Sequence, residues 1–181
     1  MWFRDPFPHF HIDADIQTSC DRYPNRLWFR DLFSHFHTHA DIQTSCDRYW
    51  GTPTKGRANT GFYYVKSNNR TIQFYKFWLA SRDRIPHEHD QDVFNKIRFD
   101  AFILQTGIKI RLLSTAFYGG FCQPSKDLNL VCTMHANCCV GLATKLHDLS
   151  MLIEDWKNYM ALSDDERAIS PHTWTHPGKR L

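Results

Sequence analysis

The sequence predicts an α/β domain, on three observations. Residues 14–20 and 108–113 alternate polar and apolar side chains, the period-two pattern of half-buried strands. Residues 145–161 carry Leu146, Leu149, Leu152, Ile153, Trp156 and Met160 at helical spacing, the clearest amphipathic helix in the chain. Between them, shorter stretches of both kinds alternate along the sequence, which favours a layer of helices on a sheet over an all-α or all-β domain.

Taken in order, the elements begin with a repeat. Residues 2–23 (WFRDPFPHFHIDADIQTSCDRY) align with 28–49 (WFRDLFSHFHTHADIQTSCDRY), differing only at Pro6/Leu32, Pro8/Ser34, Ile12/Thr38 and Asp13/His39. Solenoids need roughly three or more units to bury a shared core. One copy is therefore expected to fill a native slot and the other to form an extra arm. Residues 51–60 (GTPTKGRANT) are rich in Gly, Pro and Thr and read as a loop, followed by a short aromatic strand at 62–65. Ser67, Asn68 and Asn69 offer helix caps before an apolar stripe of Ile72, Phe74, Tyr75, Trp78 and Leu79. A short helix is predicted from His89 or Asp90 through Ile97. Beyond Ser163 the composition turns polar. The expected organisation is an arm at 1–27, a domain at 28–162 and a flexible tail at 163–181.

Composition narrows the function classes. Apolar residues at 42% and aromatics at 15% supply a packed core and argue against general disorder. The net charge of +3 comes from scattered Lys and Arg, so a nucleic-acid interface has little support. No apolar run approaches a membrane span of about 20 residues, and no signal-peptide pattern opens the chain.

Three groups of residues could carry chemistry. Asp13-Ala14-Asp15 has the form of a divalent-metal pair, but its copy reads His39-Ala40-Asp41, which favours a strand. In His89-Asp90-Gln91-Asp92, the short polar side chains of Asp90 and Gln91 sit where a helix starts and can face a ligand. The simpler reading is a cap, with Asp90 capping and Asp92 favouring the positive helix end. Cys132-x-x-His135-x-x-Cys138-Cys139 has acceptable zinc spacing. The six cysteines, at 20, 46, 122, 132, 138 and 139, leave disulfides and free thiols equally open. Asn69-Arg70-Thr71 is an N-glycosylation sequon, or simply a helix cap.

Eight blocks in order, WFRDPFPHF, ADIQTSCDRYWG, NTGFYYVKSNNRTI, FYKFW, HDQDVFNK, YGGFCQPSKDLN, CTMHANCCVGL and HDL…DWKNYM, resemble the plant nucleotide-diphospho-sugar transferase family. The resemblance covers nearly the whole chain outside the extra repeat copy and the tail. It implies a GT-A-type, Rossmann-like α/β sandwich that transfers a sugar, with retention, from a nucleotide-diphospho-sugar to a cell-wall glycan or glycoprotein acceptor in the Golgi. It also implies a divalent metal, usually Mn2+, since a cation bridging the diphosphate stabilises the charge that develops on the leaving group.

By the same resemblance, His135 is a metal ligand, and Asp90 and Gln91 lie beneath the transferred sugar. Asn59 and Gly61 flank the donor sugar or acceptor, Asp92 joins the substrate-binding set, and Lys145 contacts the diphosphate. The family's Asp-x-Asp metal pair precedes the element matched by Trp2-Phe3-Arg4-Asp5-Pro6, and only Met1 stands before it here. The expectation is a truncated, duplicated member lacking the N-terminal nucleotide-binding strands, with an incomplete metal site and weakened donor binding. The alternatives are an inactive remnant or a Cys/His zinc-binding module.

Overall fold

Two small sheets carry the fold, and a polar seam joins them. The computed structural model describes residues 15–17, 26–31, 33–169 and 174–175. Along the chain come β1 (Asp15–Gln17), β2 (Arg26–Trp28), a 3-10 turn (Phe33–His35), β3 (Ile42–Thr52) and β4 (Lys55–Val65). Then follow α1 (Asn69–Arg84), α2 (Asp90–Ile97), α3 (Ala101–Thr106), β5 (Ile110–Leu112) and β6 (Tyr118–Gly120). β7 (Thr133–His135), α4 (Leu142–Met160) and α5 (Asp164–Ile169) complete the order. One sheet has the strand order β1-β4-β3-β5, with β5 parallel to β3, and the other has the order β2-β7-β6.

The expected alternation of helix and strand is present, and three details differ from the sequence reading. The first is β3. Its repeat sequence alternates, yet every residue from Ala40 to Cys46 is buried. β3 is a central strand of its sheet, and both its polar and its apolar side are enclosed. Those polar side chains are paired, as enclosure demands. Gln43 makes reciprocal bonds with the His37 backbone, at 2.8 and 3.0 Å. Asp41 accepts from Arg70, Asn68 and the Lys109 N–H.

The second difference is residues 51–60, which form the turn end of the β3–β4 hairpin rather than a loop. Ladder pairing overrides the Gly, Pro and Thr composition there, and the chain reverses at Pro53 and Thr54 between paired Thr52 and Lys55. Gly56 is needed where it stands: its φ is +149°, and a Cβ would come within 2.3 Å of the Arg48 carbonyl oxygen across the hairpin.

The third difference is the buried face of α1. Phe74 is fully buried with Thr71 and Ser81, while Ile72 and Leu79 are exposed. Apolar residues surround this helix, so spacing alone did not select the face that meets the sheet. At its start Asn68 and Thr71 form a reciprocal capping box. The Thr71 hydroxyl also donates to the Lys66 carbonyl at 2.7 Å, which makes the sequon's hydroxyl part of the cap.

Helices α1 and α2 pack on the first sheet through Phe74, Val93, Phe94 and Ile97. Truncating one such buried aromatic costs about 3–5 kcal/mol. α4 packs on the second sheet through Leu149, Leu152 and Tyr159, where Met134 and Trp174 join them. Trp174 is buried and donates through Nε1 to the Ser125 carbonyl at 2.9 Å. Together with α5, this places described parts of the stretch predicted as a flexible tail in ordered structure. Of the expected arm, β1 pairs antiparallel with β4, and β2 pairs with β7. Asp13 and Ala14 lie outside the described residues.

Candidate functional site: an amide-held carboxylate at the seam

Two irregularities in the β3–β4 ladder create the site. Cys46 pairs with Ala58 and Arg48 with Arg57, leaving Asp47 as an extra, bulged residue. On β4, Ser45 pairs with Asn59 but Thr44 pairs with Tyr63, so Thr60, Gly61 and Phe62 arch out of register. The arch is closed by the Gly61 N–H, which donates to Asn59 Oδ1 at 2.9 Å. Bulges re-aim side chains, and this one turns Asp47 toward the seam.

The Asp47 carboxylate is held by amides from three separate elements. Oδ1 accepts from Asn59 Nδ2 at 2.7 Å and from Asn137 Nδ2 at 2.8 Å. Oδ2 accepts from Gln91 Nε2 at 2.8 Å. Arg57 Nε stands 3.8 Å from Oδ2. The Asp47 side chain keeps 14% of its surface exposed, so the carboxylate is pinned but still reaches the open side of the site.

Helix α2 is fixed against this cluster by its polar residues. Asn95 makes a two-way bond to Ala58, accepting from its N–H and donating to its carbonyl, both at 2.9 Å. Gln91 Oε1 accepts from the Thr60 N–H at 3.2 Å, and Asp90 Oδ2 accepts from the Thr60 hydroxyl at 3.3 Å. Asp92 pairs with Arg57 at 2.9 Å, an ion pair open to solvent and correspondingly weak. The helix cap is His89, with no side-chain cap bond, so Asp90 does not cap the helix. Its exposed carboxylate is free to serve another role. Asn59, Gly61, Asp90, Gln91 and Asp92 therefore meet in one neighbourhood.

On the other side of the seam, Arg26 spans the two sheets. One guanidinium nitrogen donates to Thr133 Oγ1 at 2.8 Å and the other to Ser45 Oγ at 3.3 Å, with the group over the Phe62 ring at 4.7 Å. Burial lowers its pKa to about 9, opposed by Tyr118 and Asp47, so it stays charged at neutral pH. His135 is the register partner of Arg26 and is buried. Burial, followed by the positive charges of Arg26 and Lys145, drives the imidazole pKa well below its ordinary value. The ring is therefore neutral, and its buried Nδ1 has no hydrogen-bond partner among the described residues. A neutral imidazole with an unused nitrogen fits a metal ligand. No group of three or more His, Cys, Asp or Glu side chains suited to a metal occurs among the described residues. Lys145 lies half-buried in the first turn of α4, linked to His135 through its charge rather than drawn into the Asp47 cluster.

The zinc reading is corrected by the cysteines. Cys138 forms a disulfide with Cys122, while Cys132, Cys139 and Cys46 are free and buried. Cys139 faces the Asp148 carboxylate at 3.6 Å, and Cys132 faces the Leu130 carbonyl at 3.5 Å. Burial raises the Cys132 and Cys139 thiols, the opposite of what a thiolate ligand needs.

The disulfide closes a span of 16 residues and should contribute about 3 kcal/mol. Reductant is expected to lower the Tm of the chain and to leave the Tm of a C122S/C138S double variant unchanged. Equal responses in a thermal melt would show that the bond is not a stabilising crosslink.

Sequence reasoning missed Asp47, Asn137, Arg57 and Arg26. One signal for Asp47 was available: it ends the alternation of the repeat strand with an acid directly after Cys46. Asn137 carried no signal of its own.

Comparisons with known proteins bear on the family of the chain. The profile of a family described as nucleotide-diphospho-sugar transferase matches residues 26–149. An uncharacterized Arabidopsis thaliana protein, At4g15970, is 48% identical over 177 residues, covering 97% of this chain and 41% of its own. A second uncharacterized Arabidopsis thaliana protein, At1g28695, is 37% identical over 173 residues, covering 95% of this chain and 44% of its own. The chain thus spans less than half the length of these relatives. No solved structure matches it significantly.

Proposed function

We propose, from the premise that the chain belongs to the nucleotide-diphospho-sugar transferase family, that its seam site handles the sugar of a nucleotide-diphospho-sugar donor. The mixed α/β architecture fits a partial Rossmann-like fold of that family. The observation that carries the reading is the Asp47 carboxylate, gripped by Asn59, Gln91 and Asn137 beside the exposed carboxylate of Asp90.

Sugar transfer builds positive charge on the anomeric carbon, and fixed carboxylates facing that carbon stabilise it without reorganising. In this reading Asp90 and Gln91 lie under the transferred sugar. The Asn59–Gly61 arch walls the donor or acceptor, Asp92 keeps Arg57 against the cluster, and Lys145 meets the diphosphate. His135 would hold a divalent cation, Mn2+ in our proposal, through Nδ1. When bound, that cation neutralises charge on the leaving diphosphate. The acceptor is a cell-wall glycan or glycoprotein, and anomeric configuration is retained.

The Cys122–Cys138 disulfide supports an oxidising compartment such as the Golgi lumen. No helix among the described residues is long and apolar enough to cross a membrane.

The test is to incubate the chain with a panel of nucleotide-diphospho-sugars, Mn2+ and cell-wall glycan or glycoprotein acceptors and follow release of nucleoside diphosphate. One donor is expected to be consumed, and D90N should slow its consumption by about 10²-fold. A folded chain that consumes none of them would overturn the reading.

A further inference from the structure

We infer that Asn137 is a positioning residue whose side-chain amide sets the Asp47 carboxylate, an inference that rests on the proposed sugar-handling site. Asn137 stands two residues beyond β7, and its side chain has a built seat. Its Nδ2 donates to Asp47 Oδ1 at 2.8 Å, and its Oδ1 accepts from the Cys122 N–H at 3.1 Å. The amide is therefore oriented at both ends, with the donor end turned to the carboxylate.

The floor of the seat is Gly120. A Cβ there would lie 2.5 Å from Asn137 Oδ1 and 3.0 Å from both Cγ and Nδ2, so any side chain would displace the amide. The Cys122–Cys138 disulfide ties together the neighbours of both partners, because Cys122 supplies the N–H and Cys138 follows Asn137. Cys138 itself takes a φ of +52°, a left-handed turn that ends the segment.

This arrangement joins the second sheet to the first at the bulged carboxylate. Asn59 and Gln91 approach Asp47 from β4, a strand of the first sheet, and from α2, which packs on that sheet. Asn137 is the amide that registers the carboxylate against the strand carrying His135. Without it, Asp47 keeps two amide partners but loses its fixed relation to the other half of the site.

The test compares N137A, N137D and G120A with the wild-type chain across pH 4–8 in two readouts. The first is thermal stability. In N137D a second carboxyl meets Asp47, so repulsion lowers Tm near neutral pH. On acidification a shared proton restores the bond, and Tm should recover by about 2–4 °C or more relative to N137A. The second is donor turnover. N137A and G120A are expected to lose about 10²-fold in kcat with little change in KM. N137D should regain kcat as the pH falls, where N137A does not.

An N137D Tm profile parallel to that of N137A would overturn the contact. A recovered Tm with kcat unchanged in all three variants would overturn the positioning role. Absence of turnover in the wild-type chain would count against the sugar-handling site itself, while the Tm profiles would still decide whether Asn137 holds Asp47.

Discussion

Replacing Asp47 with alanine is expected to slow donor turnover by about 10²-fold and to lower stability by about 2 kcal/mol. The stability cost arises because Asn59, Gln91 and Asn137 each aim an amide at this carboxylate and would be left without it. Orphaned donors cost about 1–3 kcal/mol where water does not replace the acceptor, and this site is only partly open. The turnover cost has a separate origin. Gln91 would lose the anchor that aims it, and misplacement of a positioning group by about 1 Å costs roughly 10²-fold. D47N keeps the shape and one acceptor oxygen, so it should recover most of the stability and little of the turnover. Urea unfolding of both variants, read beside their nucleoside diphosphate release, checks the separation. A D47A chain as active as wild type would remove Asp47 from the site.

Replacing Asp41 with alanine is expected to cost about 3 kcal/mol without acting on the site. This is the low end of the range for breaking a buried ion pair, because Arg70 is half exposed and rehydrates when freed. Asp41 is 2% exposed and binds the Arg70 guanidinium at 2.7 Å, Asn68 Nδ2 at 3.0 Å and the Lys109 N–H at 2.9 Å. It thereby joins the start of β3, the cap of α1 and the approach to β5.

Burial pushes this carboxyl upward, but the bonds from Arg70, Lys109 and Asn68 outweigh burial and hold its pKa below the ordinary 3.8. A depressed folded pKa means the stabilisation is fully present above 3.8. It is lost as the pH falls through the lower, folded value. The stability gap between wild type and D41A should stay constant at neutral pH and close on acidification below about pH 4. A gap that widens in acid would contradict the sign.

Much of the fold was legible because local patterns and burial agree there. Leu149 and Leu152 of the α4 stripe and the Asn68 cap are examples, as is the α2 start, since each is decided within a few residues of sequence. Leu146 and Met160 of that stripe, by contrast, are exposed. The hairpin at 51–60 was not legible: its composition favours a loop, and only pairing with β3 decides otherwise. The face of α1 was hidden for a related reason, because apolar residues ring the helix and the sheet does the choosing.

At the proposed site, Asp90, Gln91, Asn59 and Gly61 were singled out through their resemblance to known blocks. The carboxylate that joins them was not. Asp47 is defined by a bulge, and a bulge is a property of two strands in register rather than of either sequence. Asn137 lies 90 residues from Asp47 and reaches it only once the two sheets meet. The cysteine cluster suggested zinc because spacing cannot show that Cys138 is committed to Cys122.

The most direct test of the seam site is an NMR titration of the full chain with nucleotide-diphospho-sugars, following the side-chain amide resonances of Asn59, Gln91 and Asn137. The account predicts that one donor shifts all three together and that D47A removes the common response. Donor binding that leaves these amides unmoved, and instead perturbs the cavity between Lys76 and His89, would contradict it.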